Sequence, residues 1–155
     1  MGENLRLIRF YLVLLAIFTV GRWGLGLGGA DYAATHQVFS IVILTNISSA
    51  YYAFLTRGFV GGGLKRALVL GALLGAVSQA VVFGSTAISY ILGMDTFFNA
   101  PRALNVEEAI PFGQAMGARA ITFVANVVTN VITAALGYAI AAVGPKAGEV
   151  SAAPR

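Results

Sequence analysis

Four amide side chains are the most chemically distinctive residues of this sequence, because each lies in the middle of a long apolar segment. They are Asn46, Gln79, Asn126 and Asn130. Counted from the segment ends, all four fall near one level, so we expect them to lie close together. An uncharged amide both donates and accepts hydrogen bonds. The amides therefore either join neighbouring helices as structural contacts or line a pocket for a neutral lipid head, quinone or solute.

Polar residues recur beside these amides at helical spacing. In the last apolar segment, Asn126, Thr129, Asn130 and Thr133 follow an i, i+3, i+4, i+7 pattern, which places them on one helix face. The two middle segments have comparable polar faces and the first has none. We therefore expect the first segment to pack at the edge of a bundle formed by the other three.

Small residues predict where helices approach closely. Gly71 and Gly75 form a GxxxG pair, and Ser78 follows on the same face. A second pair, Gly113 and Gly117, lies near the start of the last segment. Such pairs allow backbones to come into contact inside a membrane. We predict all five as helix-packing residues.

Three residues near one end of the predicted bundle form a second candidate site, for an anion or for outer-face polar contacts: Arg22, His36 and Arg119. Arg119 lies inside the last apolar segment, and we expect it to extend outward or to pair with an acid of the preceding loop. With no cysteine and one histidine in the chain, the sequence predicts no metal site, no catalytic set and no cofactor.

Long apolar segments must position these residues. The chain is 58% apolar and 10% charged, with a mean hydropathy of +0.82, far from the values of water-soluble domains. About 20 apolar residues are needed to cross a bilayer, and four segments are that long: 5–27, 36–56, 65–92 and 113–143. We predict one all-α integral membrane domain over residues 1–155, folded as a four-helix bundle.

The distribution of basic residues predicts the orientation. Seven of the ten Lys and Arg residues fall on one side of the predicted bundle: Arg6, Arg9, Arg57, Lys65, Arg66, Lys146 and Arg155. The positive-inside rule assigns that side to the cytoplasm. Both termini are then cytoplasmic in a plasma or inner membrane, with a mobile tail over 144–155. This charge favours contact with anionic lipid rather than with nucleic acid.

The longest outer loop, over residues 93–112, carries a helix-start pattern. Asn105 followed three residues later by Glu108 is typical of an N-cap and an acidic third position. We therefore predict a short interfacial helix from Asn105.

Two functions are consistent with these features. The first is a non-enzymatic accessory or scaffold subunit that packs against partner membrane proteins, copies of itself and membrane lipids. The alternative is binding or transport of a neutral amphiphilic small molecule at the amides, by a single chain or by an oligomer. A third interpretation is a lipid-modifying enzyme with Asp31, His36 and Arg22 at the outer face.

Overall fold

The computed structural model describes residues 6–143 and is helical, with no strand in that range. Its elements are α1 (Arg9–Leu27), α2 (Tyr32–Thr35), α3 (Ile41–Gly58), α4 (Leu64–Ile91), a 3-10 helix (Pro101–Leu104) and α5 (Phe112–Val143). The predicted all-α class is confirmed. The predicted tail over 144–155 lies outside the described residues.

Three helices, α1, α4 and α5, are long and apolar enough to cross a membrane. The predicted segment 36–56 corresponds to α3, which has 18 residues and begins at Ile41 rather than at His36. Phe39 has a positive φ of 53°, which interrupts helical geometry. Ser40 then caps the helix, its hydroxyl accepting from the Ile43 N–H at 3.4 Å. At 1.5 Å per residue α3 is about 27 Å long.

Contacts at opposite ends of the helices define their directions. Thr86 and Gly71 of α4 contact Arg119 and Ala134 of α5, respectively, so these two helices are antiparallel. The contacts of α3 with α5 run in the same order along both helices, from Ser49 with Asn130 to Arg57 with Tyr138. The Tyr11 hydroxyl donates a hydrogen bond to the Leu74 carbonyl, and the Trp23 indole N–H donates one to the Ser85 hydroxyl. These contacts run in the same order along both helices, so α1 is parallel to α4. The long helices therefore alternate in direction along the chain.

Small residues allow close contact where α5 crosses α4 and α3. A Cβ added at Gly71 would lie 2.7 Å from the Asn130 carbonyl oxygen, and one at Gly75 would lie 3.0 Å from Val127 Cα. A Cβ added at Gly137 of α5 would likewise collide with the backbone of Ala50 in α3.

The other residues predicted for helix packing differ from one another. Ser78 is fully buried and donates to the Gly75 carbonyl of its own helix at 2.9 Å. A Cβ at Gly113 or Gly117 would meet nothing within 4 Å. This second glycine pair therefore makes no close contact within the described residues.

Helix α1 packs against the bundle through one face. Ile8, Tyr11 and Leu15 are buried, and the Tyr11 hydroxyl lies 3.0 Å from Thr45 Oγ1 and donates to the Leu74 carbonyl at 3.3 Å. The opposite face is apolar and exposed: Phe10, Val13, Ile17 and Val20. An exposed apolar face of this kind is suited to lipid contact.

The loop between α4 and α5 is folded against the helix ends. Its 3-10 helix begins at Pro101 and ends before Asn105, which has a left-handed φ of 58°. Asn105 therefore terminates a turn instead of starting a helix, and the helix predicted from this residue does not form. Phe97 and Phe98 are buried, and the Phe97 ring packs edge-on against Tyr32 at 5.1 Å between centroids.

Candidate anion-binding site

The short length of α3 creates a cavity in the bundle. Ser49 of α3 is level with Asn130 of α5, because the Ser49 hydroxyl donates to Asn130 Oδ1 at 2.7 Å. Counting eight residues back along each parallel helix places Ile41 level with Thr122. α5 continues ten residues beyond Thr122 to Phe112, which is about 15 Å. The N-terminus of α3 therefore lies well inside the bundle, and loops cover the space beyond it.

This space is a cavity of about 200 Å³. Ser40, Ile41 and Val42 line it at the start of α3. The other long helices contribute Arg22, Gln79, Val82, Arg119, Thr122 and Asn126. The loops contribute Tyr32, Phe98, Arg102, Ala103 and Asn105.

Arg119 is the most buried charged group of the site. Its side chain is 8% exposed. Its Nε donates to Thr86 Oγ1 at 3.0 Å and its Nη2 donates to the Phe98 carbonyl at 2.6 Å. No ion pair joins it to an acid within residues 6–143. The guanidinium is therefore bound by a hydroxyl of α4 and a carbonyl of the loop, and the expected acidic partner is not found among the described residues.

Arg22 reaches the same cavity from α1. Its guanidinium carbon lies 5.6 Å from the centroid of the Tyr32 ring and 5.7 Å from those of Phe97 and Phe98. These are cation–π distances. Its Nη atoms donate to the His36 carbonyl and to the Tyr32 hydroxyl, both at 3.3 Å. Aromatic faces and neutral acceptors thus hold this guanidinium in place.

Arg102 is the third arginine that lines the cavity, and it was not among the site residues predicted from the sequence. It lies in the 3-10 helix and has an exposed side chain. The signal that could have identified it is the charge count, since Arg22, Arg102 and Arg119 are the three basic residues outside the set of seven predicted to be cytoplasmic.

The cavity is electropositive. Three arginines and the N-terminus of α3 line it, and none of its lining residues within 6–143 is acidic. A helix N-terminus presents free backbone N–H groups and a partial positive charge, which favour an anion. A charge buried in a low-dielectric region without compensation is costly. The arrangement is therefore suited to a carboxylate, phosphate or similar oxyanion and unsuited to a cation.

The structure divides the four amides into two pairs. Gln79 and Asn126 line the cavity. Asn130 is 1% exposed and acts between helices, accepting from Ser49 and donating to the Asn126 carbonyl at 2.8 Å. Asn46 lines none of the described cavities, and its Oδ1 is buried without a partner in the described chain. Among residues 6–143, no hydrogen bond joins two of these amide side chains.

The two cavity amides retain unused hydrogen-bonding groups. Gln79 is 4% exposed, and no hydrogen bond joins its amide to any other group in residues 6–143. Asn126 uses Nδ2, which donates to the Thr122 carbonyl at 2.9 Å. An amide that faces a cavity can form hydrogen bonds there with water or with a polar ligand. These amides therefore extend the polar lining of the cavity inward from Arg119.

His36 lies outside the cavity. Its side chain is exposed, its Nδ1 lies 3.1 Å from the Ala33 carbonyl oxygen, and its ring stacks on Tyr32 with centroids 5.9 Å apart. Only its backbone carbonyl contributes, by accepting from Arg22. Asp31 caps α2 by accepting from the Ala33 N–H. In the described part of the chain, no group of three or more His, Asp or Glu residues could hold a metal ion.

Comparisons with protein-family models, with curated proteins and with solved structures found no match to this chain. The functional argument therefore depends on the geometry of the cavity.

Proposed function

We propose that this protein binds a small oxyanion-bearing molecule within the membrane, in the cavity lined by Arg22, Arg102 and Arg119. The observation that supports this most directly is Arg119, a guanidinium that is 8% exposed and has no acidic partner among the described residues. A bound oxyanion would supply the missing negative charge and accept charge-assisted hydrogen bonds. The amides of Gln79 and Asn126 would contact neutral polar groups of the same molecule.

The proposal includes the membrane topology. We infer that α3 crosses the membrane together with α1, α4 and α5, since the four alternate in direction and α3 is about as long as the hydrocarbon core is thick. Arg9, Arg57, Lys65 and Arg66 lie at the end opposite the cavity. The positive-inside rule makes that end cytoplasmic, with the cavity near the outer face of a plasma or inner membrane.

Ligand binding can be measured through Trp23, which is the only tryptophan of the chain. The centroid of its indole ring lies 5.6 Å from that of the Phe98 ring, and Phe98 lines the cavity. Purified protein in detergent would be titrated with inorganic phosphate, glycerol 1-phosphate and a short-chain phosphatidylglycerol. We expect saturable changes in Trp23 emission with at least one of these probes.

Two variants separate specific binding from general attraction to positive charge. Arg119→Gln should weaken binding about tenfold or more, because one charge-assisted contact contributes roughly 1.5–3 kcal/mol. Arg57→Gln, at the opposite end of the bundle, is the control and should bind as the wild type does. Equal affinities in the wild type and Arg119→Gln would reject the proposed site, as would a wild type that binds none of the probes.

A scaffold role has one observation in its favour, which is the open face around Gly113 and Gly117 on α5. A glycine pair without an intrachain contact could receive a helix of a partner membrane protein or of a second copy. Native mass spectrometry of protein extracted in mild detergent would test this. Gly113→Leu and Gly117→Leu should release the partner, and recovery of the wild type only as a free monomer would count against it.

A further inference from the structure

We propose that the occupant of the cavity is an anionic phospholipid of the outer leaflet. Its phosphate would lie between Arg119 and Arg22, its ester carbonyls near Gln79 and Asn126, and its acyl chains would pass into the bilayer between α3 and α5. This inference depends on the proposed oxyanion site and specifies the molecule that carries the anion.

The volume of the cavity supports a ligand that is only partly enclosed. At about 200 Å³, it is smaller than the roughly 300–1,000 Å³ typical of pockets that enclose a whole small-molecule ligand. It can hold a phosphate with the adjoining glycerol, whereas the rest of a lipid must lie outside. A phospholipid meets this requirement because its chains are soluble in the surrounding bilayer.

Two helices, α3 and α5, contribute partly exposed residues to the lining of the cavity. Val42 of α3 lines it and is 40% exposed, and Thr122 and Asn126 of α5 line it and are half-buried. Thr122 is ten residues inside the start of α5, at a depth where the exposed neighbours of Val42 are apolar: Ile43 and Ile47. Acyl chains leaving the cavity here would meet an apolar surface.

The order of the polar groups with depth matches a phospholipid. The guanidiniums lie toward the outer end, and Gln79 and Asn126 lie farther in. A phosphate is likewise followed inward by ester carbonyls, which accept hydrogen bonds and carry no charge. The Gln79 amide has an unused N–H₂ group that can donate to such a carbonyl.

The aqueous side of the cavity is less favourable to a soluble anion. An adjoining depression of about 410 Å³ shares Tyr32 and Arg102 with the cavity and also contains Asp31 and Glu107. An anion arriving from water would approach past these carboxylates, which repel it. The route between α3 and α5 passes the neutral side chains of Val42 and Thr122.

The test compares a lipid with a free phosphate. The full chain would be placed in nanodiscs of phosphatidylcholine containing a minor fraction of phosphatidylglycerol, and bound lipid would be counted by native mass spectrometry. Inorganic phosphate binding would be measured separately through Trp23. We expect the wild type to retain phosphatidylglycerol over phosphatidylcholine and Arg119→Gln to lose that preference by about tenfold.

A variant at Val42, on the proposed route of the acyl chains, distinguishes a lipid headgroup from free phosphate as the source of the anion. Val42→Trp should reduce phosphatidylglycerol retention about fivefold or more, because the larger side chain would occupy space that the acyl chains need. Phosphate binding needs no passage for acyl chains and should fall by a smaller factor than phosphatidylglycerol retention. Ile43→Trp is the matched control, because Ile43 is adjacent, is 46% exposed and does not line the cavity. Circular dichroism would verify that all variants are folded.

The outcomes separate this inference from the proposed function. Arg119-dependent binding of phosphate without retention of phosphatidylglycerol would overturn the lipid assignment and leave the oxyanion site standing. Equal retention by Val42→Trp and Ile43→Trp would overturn the proposed route of the acyl chains. Binding of neither phosphate nor lipid in an Arg119-dependent way would reject both proposals.

Discussion

Arg119 of α5 donates its Nη2 hydrogen bond to the Phe98 carbonyl at 2.6 Å, so a buried charge of one helix holds the loop that precedes this helix. Thr86 Oγ1 accepts from Arg119 Nε at 3.0 Å and lies 3.1 Å from that carbonyl, while the Val82 carbonyl of its own helix is the nearer acceptor for its hydrogen at 2.9 Å. These contacts connect α4, α5 and the loop. The geometry of the candidate site therefore depends on the loop being in place.

Replacing Arg119 should loosen this loop even without a ligand. In Arg119→Gln the shorter side chain loses the contact with the Phe98 carbonyl, so we expect faster amide hydrogen exchange over residues 92–111 and little change in α1. Hydrogen exchange measured by mass spectrometry would report this. Arg102→Gln is the control, since Arg102 has an exposed side chain in the same loop. Equal protection in both variants would show that Arg119 does not hold the loop.

Glycine substitutions should affect stability according to the space around each residue. Gly137→Ala places a methyl group against the Ala50 backbone, and Gly71→Ala places one 2.7 Å from the Asn130 carbonyl oxygen. Backbone atoms cannot rotate away, so each change should lower the free energy of unfolding by about 1–3 kcal/mol. Gly117→Ala meets open space and should be neutral or slightly stabilising, because alanine favours a helix.

Thermal unfolding in detergent would rank these glycine variants. If Gly117→Ala were as destabilising as Gly71→Ala, the crossing of α4 and α5 described above would be wrong. The comparison is internal to the chain, since all three variants add the same methyl group to a helical glycine.

The parts of the fold that depend on the length of an apolar segment could be predicted from the sequence. The segments that became α1, α4 and α5 are apolar runs long enough to cross a bilayer. The start of α3 could not be predicted in this way. It depends on the positive φ of Phe39 and on the cap at Ser40, and this local geometry displaces the helix end by five residues from the predicted start and produces the cavity.

The candidate site was partly accessible from charge alone. Arg22 and Arg119 could be selected because they are basic residues at the end of the predicted bundle that carries fewer positive charges, but the position of the Arg119 guanidinium depends on the Phe98 carbonyl, which only the tertiary fold brings within reach. Depth along a span placed the four amides at one level. It could not reveal that Gln79 and Asn126 face a cavity whereas Asn130 is occupied by Ser49.

The two asparagines of α5 should therefore respond differently to substitution. Asn130→Leu breaks the contact with Ser49 and enlarges a fully buried side chain, so it should destabilise the bundle. The hydrogen bond itself contributes about 0.6 kcal/mol by the average for membrane proteins, which a double-mutant cycle with Ser49→Ala would measure. Asn126→Leu should leave the unfolding temperature nearly unchanged and weaken ligand binding. The reverse result would exchange the structural and binding roles assigned to these residues.

Whether α3 crosses the membrane can be tested with single cysteines, because the chain has no native cysteine. Ala34→Cys, Lys65→Cys and Glu108→Cys introduce thiols at exposed positions before α3, after α3 and in the loop after α4. We expect a membrane-impermeant maleimide to label Ala34→Cys and Glu108→Cys in intact cells and Lys65→Cys only after permeabilisation. If α3 did not cross, the thiols at positions 34 and 65 would lie on the same side of the membrane. That labelling pattern would leave a three-span protein whose cavity could not be an outer-leaflet lipid site.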